Sequence, residues 1–229
     1  LAQIMARSFL WQKQKWVILR GVNSLRVVVA DDHSLTLQGV SDSLLSHGVS
    51  IVGRAQSAAE AVSLVKEHAP DALVTDLDFG PGPTGLDIAN SLRTSFPKLG
   101  IVLLSAYGDP RLHSESLVVA PAGLIYLIKQ QVGSTTQLAE AIASSIDKAT
   151  KAEHGELPAI NLTSGQISVL RLVARGLSNH AIADELSVTE DSVSKTINRM
   201  LKRLGIAQNS GVNSRAALLQ SYFDMIGAN

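Results

Sequence analysis

The sequence predicts an α/β protein in two parts, a doubly wound five-stranded parallel sheet followed by a small all-α domain. Three observations predict this arrangement. Between residues 25 and 150, five short apolar runs alternate with segments of helical apolar spacing. A polar stretch at 151–161 contains Gly155 and Pro158 and is typical of a linker. From residue 162 to residue 229 only helical patterns remain.

The first part repeats strand and helix five times. Its apolar runs are continuous rather than alternating, which is typical of strands buried on both faces of a parallel sheet. The strands are predicted at 25–30, 49–53, 72–75, 101–105 and 124–128. The helices are predicted at 33–47, 57–68, 85–95, 109–119 and 134–150.

Capping residues predict the helices of the second part. Thr163 with Gln166 forms a capping box before a helix that Gly176 ends. Ser178 precedes a short helix through 186, and Thr189 precedes a third helix at 190–204. A last helix is predicted at 214–225.

Composition excludes several classes of site. The 229 residues contain no cysteine, which excludes disulfides and thiolate metal sites. No apolar run reaches the roughly 18 residues that a membrane span needs, so no membrane partner and a cytoplasmic location are expected. The formal net charge of the chain is zero, but the charge is unevenly distributed. Residues 27–161 have a net charge of −7 and residues 162–229 a net charge of +2. Two domains with different partners are therefore expected.

Residues 1–24 form an N-terminal extension that contains both tryptophans and no acidic residue. A membrane-surface helix is one interpretation, because Trp11, Trp16, Lys13 and Lys15 have suitable chemistry. The favoured interpretation is a remnant of cloning or a start codon placed too far upstream, and we assign this segment no function.

Polar groups follow four of the predicted strands. Asp31 and Asp32 end the first strand, Asp76 the third and Ser105 the fourth, and Lys129 follows the fifth. Each alone is explained by a turn, a cap or the surface, but together they meet at one edge of a parallel sheet. Three carboxylates there favour Mg²⁺, and Lys129 and Ser105 supply donors for a phosphoryl group. The pattern predicts an aspartyl-phosphate site.

Residues 25–150 resemble the receiver domain of two-component response regulators, which has a flavodoxin-like fold. The resemblance rests on Val27-Val-Val-Ala-Asp31-Asp32-His, Val74-Thr-Asp76-Leu, Leu103-Leu-Ser105-Ala-Tyr-Gly and Tyr126-Leu-Ile-Lys129. It implies that Asp76 accepts the phosphoryl group, that Asp32 and Asp76 bind Mg²⁺ directly, and that Asp31 acts through water. It also implies that Tyr126 is a switch residue that moves inward when Ser105 engages the phosphoryl group.

The loop after Asp76 departs from the family pattern. Receivers usually have a short Met-Pro turn there, whereas this chain has Asp78 followed by Phe-Gly-Pro-Gly-Pro-Thr before Gly85. We expect Asp78 to place a further carboxylate beside the site, where it would alter metal binding or autodephosphorylation.

The second part has the spacing of a helix-turn-helix, with a turn at 186–189 and a recognition helix after it. Short polar residues near its start are suited to reading bases, and basic residues further along are suited to phosphates. A helical bundle with a solvated charged face is the alternative on pattern alone. The candidate DNA-binding residues are Ser192, Ser194, Lys195, Asn198, Arg199 and Lys202.

Residues 162–219 resemble the LuxR-type helix-turn-helix of the NarL/FixJ response regulators. The resemblance rests on Leu162-Thr-Ser-Gly-Gln-Ile-Ser-Val-Leu-Arg-Leu-Val-Ala-Arg-Gly-Leu-Ser-Asn, Ile182-Ala-Asp-Glu-Leu, Val188-Thr-Glu-Asp-Ser-Val-Ser-Lys and Leu204-Gly-Ile. The chain has Ser194 where the family usually has Lys, and its stretch 208–213 is longer than usual. Because of these differences, the resemblance implies no particular operator sequence.

The two resemblances imply a DNA-binding response regulator. A partner histidine kinase would phosphorylate Asp76, and the face built from the fourth helix, the fifth strand and the fifth helix would change and release or dimerise the DNA-binding domain. Two alternatives stay open at this point. One is a DNA-binding regulator that ignores phosphorylation, and the other is a phosphatase-type enzyme with an aspartyl-phosphate intermediate, suggested by Asp76-Leu-Asp78.

Overall fold

The computed structural model describes residues 24–113, 119–206 and 213–226. Within these ranges one sheet of five parallel strands has the order β2-β1-β3-β4-β5. The predicted fold class is confirmed, because an all-helical part follows this sheet. The N-terminal extension before Ser24 and residues 208–212 of the longer stretch lie outside the described residues. The strands are β1 (Arg26–Ala30), β2 (Ser50–Ala55), β3 (Ala72–Asp76), β4 (Gly100–Ser105) and β5 (Leu124–Ile128).

Helices connect the strands and build the second part. Those of the first part are α1 (Ser34–Ser46), α2 (Ala58–His68), α3 (Gly85–Ser95) and α4 (Thr135–Thr150). Those of the second part are α5 (Ser164–Ala174), α6 (Asn179–Leu186), α7 (Glu190–Arg203) and α8 (Ser214–Ile226). The caps of the second part act as the sequence predicts, since the side chains of Thr163, Ser178 and Thr189 each accept a hydrogen bond from the main chain of the first turn. Ser57 caps α2 in the same way.

The predicted helix at 109–119 is wrong in the described residues. A single 3₁₀ turn, Pro110–Leu112, stands there, and residues 119 and 120 are not helical. The Asp109 carboxylate accepts the main-chain N–H of Arg111, and the Arg111 side chain turns back to the same carboxylate. These contacts stabilise a tight turn instead of a regular helix. The sequence analysis expected a face built from a fourth helix, the fifth strand and the fifth helix. In the described residues, this turn stands where the fourth helix was expected.

Successive side chains of the strands pack into two cores on opposite faces of the sheet, as the two-residue period of a strand requires. On one face Val28 packs in a cluster that includes Leu92 of α3. On the other face Val27 packs in a cluster that includes Leu44 of α1 and Ile142 of α4. The second part has its own aliphatic core.

The sheet order creates a crevice. The chain leaves β1 toward β2 on one side and leaves β3 toward β4 on the other, so the connections diverge between β1 and β3. Open α/β sheets bind ligands at such a switch point, outside the carboxyl ends of the strands. Asp31, Asp32 and Asp76 follow or end these two strands.

Candidate phosphoryl-acceptor site and DNA-binding helix

Lys129 joins two buried carboxylates at the switch point. Its Nζ lies 2.8 Å from Asp31 Oδ2 and 2.8 Å from Asp76 Oδ2. Both carboxylates are nearly inaccessible, with 3 % of Asp31 and 6 % of Asp76 exposed. The ammonium thus offsets repulsion between two carboxylates that the fold forces together.

The environment of Asp76 raises the pKa of its carboxyl. Burial is the main cause, and repulsion from Asp31 adds to it, whereas the hydrogen bonds from Lys129 and from the Leu77 main chain oppose it. For Lys129, burial works to lower the pKa of the ammonium, but its hydrogen bonds to Asp31 and Asp76 outweigh burial and raise it. Lys129 therefore stays charged at neutral pH. Both carboxylate oxygens of Asp76 accept hydrogen bonds, Oδ2 from Lys129 Nζ and Oδ1 from the Leu77 N–H at 2.7 Å.

The residues expected to bind a metal lie together. One ligand atom each from Asp31, Asp32, His33 and Asp76 fall within 4.8 Å of one another. His33 was not among the predicted ligands, and its Nδ1 lies 2.8 Å from Asp32 Oδ1. Three carboxylates on one edge are hard oxygen ligands, which fit Mg²⁺ with water completing its shell. The donor set is therefore compatible with the expected cofactor.

Ser105, at the end of β4, is connected to Tyr107 and Tyr126. The Ser105 hydroxyl oxygen is fully buried and accepts the Tyr107 main-chain N–H at 3.0 Å. The Tyr126 hydroxyl donates to the Tyr107 main-chain carbonyl at 2.7 Å. Tyr107 thus lies between the two side chains that the family resemblance names as movable, although the sequence analysis did not single it out.

The Asp78 carboxylate has two partners outside the carboxylate cluster. Its Oδ1 accepts the main-chain N–H of Gly80 at 2.8 Å, which closes a local turn. Its Oδ2 lies 3.4 Å from Nδ1 of His113, in the segment after β4. The loop that departs from the family pattern is therefore tied to the β4–β5 connection.

A glycine permits the close approach of α3 to β3, the strand that ends in Asp76. The Gly85 N–H donates to the Leu77 carbonyl at 2.8 Å. A Cβ at position 85 would meet the Asp76 carbonyl oxygen at 1.9 Å. Only glycine fits at this position without a shift of the main chain that carries Asp76.

The second part forms a helix-turn-helix. The α6 helix ends at Ser187, whose φ of 53° is left-handed, and Thr189 caps α7. The α7 helix buries Val193, Ile197, Met200 and Leu201. Its opposite face is polar, as a recognition helix requires.

Five of the six candidate DNA-binding residues are exposed, namely Ser192, Lys195, Asn198, Arg199 and Lys202. Ser194 is half-buried, and its hydroxyl accepts a hydrogen bond from Asn179 Nδ2 of α6. Lys195 pairs with Asp191 at 2.6 Å.

A contact between the two parts involves residues that the sequence analysis did not identify. Asp109 is fully buried, and its Oδ2 accepts the main-chain N–H of Ile160 at 2.9 Å. Arg111 donates to the carbonyls of Ile160 and Leu162, both at 3.2 Å. The sequence offers one weak signal for it, an Asp-Pro pair that is typical of turns.

In the described residues, no helix is both long and apolar enough to cross a bilayer.

Comparison with known proteins identifies both parts. The family model for the response regulator receiver domain matches residues 27–143. The model for bacterial regulatory proteins of the luxR family matches residues 160–216. A probable transcriptional regulatory protein NarL of Mycobacterium tuberculosis strain H37Rv is 31 % identical over 206 residues, covering 84 % of this chain and 93 % of that protein.

Two further proteins resemble the chain over most of its length. A nitrate/nitrite response regulator homologue of Haemophilus influenzae is 28 % identical, covering 88 % of this chain and 98 % of the relative. The structure of the two-component response regulator RcsB in complex with DNA has a TM-score of 0.52 at 24 % identity, covering 89 % of this chain and 99 % of that chain, and supports the fold alone. On the receiver and luxR matches, the chain belongs to the NarL/FixJ family of DNA-binding two-component response regulators.

Proposed function

We propose that this response regulator is switched by phosphorylation of Asp76, which a partner histidine kinase carries out in the presence of Mg²⁺. The phosphorylated form would dimerise and bind its promoter in the cytoplasm. The observation that carries the proposal is the bridge from Lys129 to Asp31 and Asp76, with Ser105 at the end of the adjacent strand β4.

In the proposed reaction an Asp76 carboxylate oxygen attacks the phosphorus of a phosphohistidine. The P–N bond breaks as the new P–O bond forms, and the leaving imidazole takes up a proton. Asp32 and Asp76 would bind Mg²⁺ directly, and Asp31 would bind it through water. The bound ion would neutralise charge on the phosphoryl oxygens. Lys129 and the Leu77 N–H hold the acceptor carboxylate in position before the reaction.

Ser105 would respond to the product. Its hydroxyl now accepts the Tyr107 N–H and would turn to donate to a phosphoryl oxygen. Tyr126 would follow, because its hydroxyl is bonded to the carbonyl of the same residue, Tyr107. The catalytic contribution lies in positioning and charge stabilisation, as in phosphoryl transfer generally.

The α7 helix would enter the major groove. Ser192, Ser194 and Asn198 would face base edges, and Lys195, Arg199 and Lys202 would hold phosphates. The exposed positions of five of these residues support this proposal. The relatives named as regulatory proteins favour regulation over the phosphatase-type alternative.

Incubation with acetyl phosphate and Mg²⁺, followed by intact-mass spectrometry, tests the proposal. We expect one phosphoryl group per chain, no addition in Asp76→Asn, and loss of the addition when EDTA removes Mg²⁺. Phosphorylation-independent regulation would be supported if the parent protein gained no mass. Steady turnover of a generic phosphate ester would support the phosphatase-type alternative.

A further inference from the structure

The segment 107–112, called here the docking segment, joins the receiver to the helical domain. Leu112 is 1 % exposed and lies in the core of the helical domain. Tyr107 packs against that core and against one core of the receiver. The Gly108 N–H donates to the Met225 carbonyl of α8 at 2.8 Å. The receiver thus contributes a side chain to the interior of the DNA-binding domain.

Residues 153–162, called here the linker strap, are fastened at both ends. Near its start the Glu153 carbonyl accepts the Gly123 N–H at 2.8 Å, and Glu156 forms a parallel bridge with Ile125 of β5. At its end Asp109 and Arg111 bind the main chain of Ile160, as described above. The sequence predicts a linker at 151–161, and the main chain of this stretch has partners at Glu153, Glu156 and Ile160.

The charged pair in the docking segment is built for this contact. Arg111 donates to the Asp109 carboxylate through Nε at 3.0 Å and Nη2 at 2.6 Å. With the pair formed, one acceptor and two donors remain directed at the strap: Asp109 Oδ2 binds the Ile160 N–H, and the Arg111 Nη groups bind two carbonyls. A buried carboxylate loses favourable interactions if any of these partners is removed.

The docked arrangement leaves the DNA-reading surface open. The contacts above involve the start of the helical domain, its core and the α8 carbonyl of Met225. Meanwhile Lys195, Arg199 and Lys202 of α7 are exposed. The described contacts therefore do not cover these side chains of α7.

We propose that the docking segment and the linker strap form a latch that fixes the orientation of the DNA-binding domain without covering its recognition helix, and that Ser105 supports this latch through Tyr107. Ser105 accepts the N–H of the first residue of the docking segment, and Tyr126 holds the carbonyl of the same residue. That phosphorylation is the event that withdraws Ser105 rests on the function proposed above. The remainder of the inference does not.

Distances between spin labels on the two domains test the latch. The chain has no cysteine, so Glu67→Cys and Ala216→Cys at exposed positions carry the labels of the full-length protein. We expect a narrow distance distribution in the labelled parent and a broad one in Asp109→Asn with Arg111→Gln, which removes both charges together. A narrow distribution in this folded double variant would overturn the latch.

Two glycines provide a matched pair if the double variant fails to fold. A Cβ at Gly155 would meet the Pro121 carbonyl oxygen at 2.8 Å and the Leu124 carbonyl oxygen at 2.9 Å, whereas Gly133 has no atom within 4 Å of its Cβ position. Gly155→Ala should broaden the distribution because it pushes the strap off β5, and Gly133→Ala should not. Equal distributions in the two variants would contradict the strap contact.

Ser105→Ala tests the support from the receiver without phosphorylation, with the equally buried Ser145→Ala as its control. We expect Ser105→Ala to broaden the distance distribution and Ser145→Ala to leave it narrow, and identical distributions would overturn the role of Ser105.

Beryllofluoride with Mg²⁺ should broaden the distance distribution of the labelled parent protein. If acetyl phosphate adds mass at Asp76 but beryllofluoride leaves the distribution narrow, the trigger fails while the proposed function stands; no added mass refutes the proposed function instead.

Binding to a short duplex of mixed sequence tests whether the recognition helix is open. The parent and the double variant should bind it with affinities within about twofold, because α7 is exposed in both. A gain of about tenfold on unlatching, equal to about 1.4 kcal/mol, would show that the latch covers the DNA-binding surface and would overturn this part of the inference.

Discussion

The hydroxyl of Tyr126 donates a hydrogen bond of 2.7 Å to the main-chain carbonyl of Tyr107. This bond joins β5 to the segment that enters the core of the helical domain. The main-chain N–H of Tyr107 donates to the hydroxyl of Ser105, beside the proposed phosphoryl site. Tyr107 is therefore the point at which the proposed phosphoryl site and the DNA-binding domain meet.

Replacing Tyr126 by Phe should remove this bond and keep the ring. The Tyr107 carbonyl would lose its partner, so we expect a loss of about 1 kcal/mol in the free energy of unfolding. Denaturant unfolding measures the change, with Tyr222→Phe in the helical domain as the control. A stability equal to that of the parent would contradict a contribution from this bond.

Lys129→Met should bind Mg²⁺ more tightly than the parent and accept phosphoryl groups poorly. The ammonium occupies carboxylate oxygens of Asp31 and Asp76, so its removal increases the negative charge that the metal meets. We expect about tenfold tighter Mg²⁺ binding by calorimetry, or about 1.4 kcal/mol. Weaker binding would mean that Lys129 does not compete with the metal.

Gly85→Ala and Gly39→Ala should change stability in opposite directions. The first places a methyl group against the Asp76 carbonyl oxygen, whereas the second has open space in the middle of α1. We expect a loss of about 1–3 kcal/mol or more for Gly85→Ala from overpacking. For Gly39→Ala we expect a gain of about 0.5–1 kcal/mol from helix propensity. Thermal unfolding measures both, and a neutral Gly85→Ala would contradict the close approach of α3 to Asp76.

The three tyrosines should lose their phenol protons at a higher pH in the folded protein than in the unfolded chain. Burial raises the pKa of Tyr107 from 10.0 to about 12, and it is also the main cause of the raised pKa values of Tyr126 and Tyr222. Because the folded pKa of Tyr107 exceeds its unfolded value, the stability linked to its phenol proton is complete below pH 10.0 and is lost as pH rises toward about 12. The pKa values of Tyr126 and Tyr222 are raised from the same 10.0, so their contributions are also lost only above that pH.

Absorbance titration of tyrosinate measures this difference in the native protein and in urea. We expect the native curve to lie at higher pH than the curve of the unfolded chain. Coinciding curves would contradict the burial of the three hydroxyl groups.

Arg199→Ala and Lys202→Ala should each weaken binding to any DNA duplex and reduce its salt dependence. Both side chains are exposed on α7. If each contacts one phosphate, the slope of log affinity against log salt should fall in magnitude by about 0.9 per substitution. Lys66→Ala on α2 removes the same kind of charge from the receiver and should leave the slope unchanged. Equal slopes in all variants would refute phosphate contacts from α7.

Sequence reasoning predicted the edge of the sheet well because the signals there are local. An apolar run that stops at Asp31, Asp76 or Ser105 shows where a strand ends, and parallel pairing then brings those ends together. The caps at Thr163 and Thr189 are local as well, since each acts on a main-chain N–H three residues away. The roles of these residues in phosphorylation and DNA binding stay predictions.

Hydrogen-bond and ion-pair partners that are distant in sequence could not be predicted from these local signals. The sequence predicted a helix that begins at Asp109, but the Asp109 carboxylate accepts the main-chain N–H of Ile160, which is 51 residues away. Tertiary contacts of Asp109 and Arg111 outweigh the helical apolar spacing of 109–119, and no local pattern records them. The orientation of Asp78 was missed for a similar reason, because His113 approaches it from the next crossover.

Reductive trapping of the phosphorylated protein tests the central claim most directly. Borohydride converts an aspartyl phosphate to homoserine, and peptide mass spectrometry locates the product. After treatment with acetyl phosphate and Mg²⁺, the account requires homoserine at position 76 and unchanged aspartates at 31, 32 and 78. Homoserine at one of these three positions with Asp76 intact, or none at any position, would contradict the assignment of Asp76 as the acceptor.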